Sequence, residues 1–192
     1  METVTTISAK DLERVRFAQG ALAPNGQIYY PKKIQPISDE RIRRGIIKGI
    51  KHASWFMSDT PMPIIGTNGI KFTANRIKNW RESLGVRRGG LYLAQLVRMG
   101  EEIGTGGAGF RFVYAAFLQQ AYQYVPNDIL LDVSKQFTAI GDLWRNSSVQ
   151  ASAIYKGLLT KQKDFDVMGD MLLEIADKEK AAFKSLLKAK LQ

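Results

Sequence analysis

The chain has 192 residues, a net charge of +10 and no cysteine. The length suits one domain with its own core, and the missing cysteine excludes disulfides, zinc–thiolate sites, iron–sulfur clusters and thiol nucleophiles. No apolar run approaches the roughly 18–20 residues of a membrane span, and residues 1–6 lack the basic start and apolar core of a signal peptide, so a cytoplasmic, membrane-free protein is expected.

Ser8 reads as an N-cap with Asp11 three residues on, which predicts a short helix over 9–19. Residues 20–26 carry turn chemistry, 27–30 suit a short extended piece, and Pro31 and Pro36 keep the chain non-helical. Residues 1–37 are therefore expected to be a short helix and an arm that packs by Tyr29 and Tyr30. The remainder, 38–192, is expected to be a helical domain.

Ser38 caps the next helix, with Asp39 and Glu40 at its positive end. Ile42, Ile46, Ile50, Ala53 and Met57 form its apolar stripe. Gly45 and Gly49 lie beside that stripe, where they would let another helix approach. Pro61 and Pro63 end the element. A helix is predicted from Thr67 or Asn68 to about Leu84, then a break at Arg87-Arg88-Gly89-Gly90, then a helix over 91–103. Phe110, Val113, Tyr114, Phe117, Leu118 and Ala121 mark a core helix over 110–125. Residues 129–155 read as one long helix or two, with Gly141 and Ser147-Ser148 as possible kinks. An amphipathic helix over 165–187 closes an all-α bundle of six or seven helices.

The charge is regional. Residues 37–90 hold 11 basic and 4 acidic groups, a net +7, whereas residues 91–192 are nearly balanced. Such an excess fits an acidic partner, nucleic acid or a solvated face. Trp55, Phe56, Phe72 and Trp80 are interspersed, but they fall largely on the predicted buried stripes, so core packing explains them. The single histidine, His52, is expected to be a half-buried packing residue. It cannot supply a two-histidine bundle metal site, and no metal or cofactor is expected.

The segment Glu101-Glu102-Ile103-Gly104-Thr105-Gly106-Gly107-Ala108-Gly109-Phe110-Arg111 stands out. Gly104-x-Gly106-x-x-Gly109 spells the dinucleotide fingerprint, but the buried strands which that motif requires are missing. Two readings remain. Glycine amides at a helix start, with Arg111 nearby, could hold an anion. The favoured reading is a tight crossover where glycines let two helices touch.

This segment, followed by Tyr114, Phe117 and Leu118, resembles the C-terminal helical domain of the butirosin biosynthesis protein H-like family. Asp11-Leu12-Glu13, Phe17-Ala18, Leu22-Ala23-Pro24-Asn25, Gly66-x-x-Gly69-Ile70 and Ile77-x-x-Trp80 add to the likeness, which covers about residues 8–145. In that family this domain looks like the second half of a protein whose first half is papain-like, with a cysteine nucleophile. The family's best understood member transfers an aminoacyl group from an acyl carrier protein to an aminoglycoside amine. This sequence starts where the second half starts, so no residue carries over as nucleophile or base, and none is assigned as catalytic.

The resemblance implies an accessory module of natural-product or peptide biosynthesis that binds an acidic acyl carrier protein or a papain-like catalytic chain. Arg43, Arg44, Lys48 and Lys51 would dock the partner. Glu102, Thr105, Gly106, Gly107, Arg111 and Tyr114 would border a ligand pocket. A nucleic-acid-binding helical protein is the alternative, and an enzyme with Glu101 or Glu102 as general base is a third reading.

Overall fold

The computed structural model describes residues 6–20, 23–27, 29, 30, 32 and 36–191. It is all-α, with six α-helices and no strand among the described residues. The chain divides into two compact units, Met1–Ile37 and Ser38–Gln192.

The first unit holds α1 (Ala9–Arg16). The Ser8 hydroxyl accepts the Asp11 amide at 3.1 Å and donates to its carboxylate at 2.7 Å, which satisfies one of the helix's free N–H groups. After α1 the chain turns through Asn25 and Gly26, both at positive φ. The turn is closed by Gly26 N–H to Arg16 O (2.8 Å) and by the Arg16 guanidinium on Gly26 O. Tyr29 and Tyr30 do not pack as expected: their exposures are 88% and 70%. The predicted extended piece at 27–30 includes Ile28, and the arm includes Pro31; both lie outside the described residues.

The second unit contains α2 (Asp39–Ser58), α3 (Gly66–Val97), α4 (Arg111–Tyr122), α5 (Ile129–Tyr155) and α6 (Gln162–Lys188). The central packing surface is α6, which touches α2, α3 and α5; α5 also packs on α3 and α4. Phe137, Phe165, Ile77, Leu93, Leu118 and Met168 are essentially inaccessible and make up the centre of one apolar core. Burial of such side chains at about 1.5–3 kcal/mol each is what holds the bundle against chain entropy.

The break near the middle of the chain lies earlier than expected. Gly85 (φ 77°, ψ 162°) interrupts α3, whereas Gly89 and Gly90 continue it and are buried. They are needed for approach: a Cβ on Gly90 would stand 3.1 Å from Tyr155 Cα, and one on Gly89 would stand 2.9 Å from the Phe165 ring. Helix α5 is continuous. Its Gly141 makes no kink but leaves room for the Phe112 ring. Gly169 on α6 does the same for α3, since a Cβ there would stand 2.9 Å from Ala74 O.

Candidate functional site

Helix α3 runs into a single π-helical turn, Arg98–Glu102, before the glycine segment. Such turns carry an extra residue and recur at functional sites. Gly104, Gly106, Gly107 and Gly109 all have positive φ, joined by Ala108 (51°) and Phe110 (71°). The Thr105 hydroxyl is buried and donates to Gly100 O at 2.6 Å, fastening the turn.

Gly104 and Gly106 are thus present for backbone conformation rather than for helix approach, which corrects the crossover reading at those two positions. A Cβ on Gly104 would meet nothing within 4 Å, and one on Gly106 would meet only the Val113 side chain. The anion reading is met from within the chain: the Ala108 N–H donates to Glu101 Oε1 at 3.2 Å, and the Ser148 hydroxyl donates to the same oxygen at 3.3 Å.

The expected ligand pocket does not assemble. Arg111 turns inward. Its Nε donates to Glu179 Oε1 (2.7 Å), its Nη2 to Oε2 (3.1 Å) and its Nη1 to Gly109 O (2.8 Å), while its guanidinium lies 4.8 Å from the Trp144 ring centre. Tyr114 is held among Phe117, Phe137 and Phe183. Burial pushes its hydroxyl pKa up to about 12; the nearby Ser54 hydroxyl opposes the rise, although neither oxygen meets hydrogen-bonding geometry. Thr105 is fixed to the turn, Glu102 and Gly106 face solvent, and Gly107 is buried behind Glu101 and Arg145, two residues that line a cleft.

That cleft is an open groove of about 630 Å³ along α5. Arg145, Ser148, Val149, Ser152, Ala153 and Lys156 line it, together with Glu101 and Leu158. The α5 residues fall at helical spacing on one face. The helix ends beside the groove with Gly157 at φ 73°, where Leu158 N–H bonds Ala153 O (2.9 Å) and Gly157 N–H bonds Ile154 O (3.0 Å). This Schellman arrangement fixes Leu158 at the groove's lip.

A second candidate surface is the outside of α2. Arg41, Arg44, Gly45, Lys48, Gly49, His52, Trp55 and Phe56 are all exposed. Gly45 and Gly49 meet no neighbour within 4 Å, so no helix among the described residues uses their approach. His52 is exposed rather than half-buried, with its ring centre 6.4 Å from that of Phe56. Trp55, Phe56 and Phe72 are also exposed, so core packing does not explain them; only Trp80 packs against the core.

Of the expected docking cations, Lys48 is exposed and Arg44 makes an exposed 3.7 Å contact with Glu40. Arg43 is half-buried. Lys51 is engaged internally: its ammonium donates to the carbonyls of Leu186 (3.0 Å), Leu187 (2.5 Å) and Ala189 (2.6 Å). It caps the negative end of α6, and partial burial lowers its pKa. No cluster of three metal-binding side chains occurs among the described residues, and no helix is long and apolar enough to cross a membrane.

A family model described as a domain of unknown function (DUF4872) matches residues 10–186. The chain belongs to the DUF4872 family. The matched span takes in the glycine turn, the α5 groove and the outer face of α2. No curated protein and no solved structure matches the chain.

Proposed function

We propose that this DUF4872 chain is an accessory module of an acyl or aminoacyl transferase system in natural-product or peptide biosynthesis, of the butirosin biosynthesis protein H type. It docks an acidic acyl carrier protein, or a papain-like catalytic chain that supplies the nucleophile, in the cytoplasm. The observation that supports this reading is the row of exposed cations on α2, Arg41, Arg44 and Lys48, in the part of the chain where the positive charge is concentrated. Opposite charge steers encounter with an acidic partner and makes binding salt-sensitive. The likeness of the glycine segment to that family supports the same reading.

The test is titration of the purified chain with carrier proteins and papain-like chains encoded beside it, at low and at raised salt. Salt-sensitive binding that Lys48→Glu weakens is expected. Absence of binding to every such partner rejects the reading. Exposed Trp55, Phe56 and Phe72 favour a second reading, in which the basic surface holds single-stranded nucleic acid by stacking and phosphate contacts. Submicromolar binding to DNA or RNA that falls steeply with salt would establish that one instead.

A further inference from the structure

We infer that the α5 groove binds a free α-amino acid with an apolar side chain. The inference uses the glycine turn and α5, and stands whether or not α2 docks a carrier protein.

Two opposite charges are held ready at one end of the groove. Glu101 is anchored through Oε1 by Ala108 N–H and the Ser148 hydroxyl, and its Oε2 accepts no hydrogen bond among the described residues. Arg145 is exposed, with its guanidinium 4.6 Å from the Phe112 ring centre, and it makes no ion pair among the described residues. Both groups lie against Gly107. A Cβ on Gly107 would stand 3.2 Å from Glu101 Oε2 and 3.1 Å from Arg145 Nη2. The residue there is a glycine at φ 85°, so no side chain stands between the two charges.

This pair selects a zwitterion. An ammonium is matched by the free carboxylate oxygen, and a carboxylate by the planar guanidinium fork. A simple anion would meet Glu101 and a simple cation would meet Arg145, so either alone faces a like charge. An α-amino acid carries both groups on one carbon, which matches two opposite charges set close together on the groove wall.

The side chain's environment is also on the page. Beyond the charges the groove passes Val149, Ala153 and Leu158, and Val149 and Leu158 are 70% and 75% exposed. These are apolar surfaces that an aliphatic side chain would cover. The local backbone carries strain, with Ala108 and Phe110 both at positive φ. Strain of that kind collects where a ligand geometry must be held.

The experiment is an NMR titration of the full isotope-labelled chain with four ligands: L-leucine, glycine, 4-methylpentanoate and 3-methylbutylamine. Leucine should produce saturable shifts at the amides of Val149, Ser152 and Leu158. Loss of the ammonium, the carboxylate or the side chain should each weaken binding about tenfold or more. Glu101→Gln, which keeps an acceptor for Ala108, and Arg145→Met, which keeps a stem over Phe112, should each weaken leucine binding by a similar factor. The proposal is overturned if leucine does not saturate at millimolar concentration, if the single-charge analogues bind as well, or if both folded variants bind leucine unchanged. Should a variant lose its folded spectrum, the four ligands on the unmodified chain decide the matter alone.

Discussion

Arg111 grips Glu179 through two parallel hydrogen bonds, and Trp144 Nε1 donates to the same carboxylate at 2.7 Å. Glu179 is wholly buried, so α4, α5 and α6 meet around one desolvated charge. Removing the cation would leave that charge without compensation. Arg111→Ala should therefore destabilise the protein by about 3–5 kcal/mol. The double change Arg111→Met with Glu179→Met should cost less than the single one, since burying the pair has its own desolvation penalty. Urea midpoints of the three proteins check this. An Arg111→Ala chain of native stability that fails only in ligand binding would restore the arginine to a pocket.

Three helical glycines carry opposite expectations. Gly45 and Gly49 are helical, exposed and without neighbours. Alanine at either should stabilise α2 by about 1 kcal/mol. Gly169 is buried against the Ala74 carbonyl, a backbone atom that cannot swing away. Gly169→Ala should cost about 1–3 kcal/mol. Thermal melts of the three variants show whether helix propensity or close approach governs each position. If the α2 alanines also weaken partner binding, the unused approach on α2 belongs to the partner.

The helices were legible because their apolar residues recur with the helical period and because Ser8 and Ser38 announce their caps. The position of the α3 kink was not. Arg87-Arg88-Gly89-Gly90 has the composition of a break, yet it remains helical because Tyr155 and Phe165 press against those glycines. The site was legible only as a place. Four clustered glycines marked the turn, but the pairing of Glu101 with Ala108 and Ser148 joins residues 7 and 47 positions apart. Arg145, Ser148, Ser152 and Lys156 have the spacing of an ordinary solvated helix face. They become a groove only beside Glu101 and Leu158.

Lys51 and Lys48 separate folding from docking. Lys51 donates to three carbonyls at the end of α6, whereas Lys48 faces solvent. Lys51→Met should lower stability by about 1–3 kcal/mol, in proportion to the charge-assisted bonds lost. Lys48→Glu should leave stability within about 0.5 kcal/mol and reduce the rate of association with an acidic partner. Denaturant midpoints combined with association rates at two salt concentrations distinguish the two roles. Equal effects on both measurements would mean that the cations act together rather than separately.

Tyr114 gives the fold an alkaline limit. In the folded chain its hydroxyl titrates at about 12 because burial disfavours the phenolate, against an ordinary value of 10.0. The unfolded chain therefore loses this proton first as pH rises. The resulting stability is fully present below pH 10 and falls away between pH 10 and 12, by about 2–3 kcal/mol. Tyr114→Phe removes the titration together with a hydroxyl that lacks a hydrogen-bond partner among the described residues. The variant should match or exceed the wild-type stability at pH 7. It should also lose less stability than the wild type between pH 10 and 12, whereas the other tyrosines and the lysines contribute alike to both proteins. Parallel stability curves for the two proteins across that range would show that the Tyr114 hydroxyl ionises as freely in the folded chain as in the unfolded one.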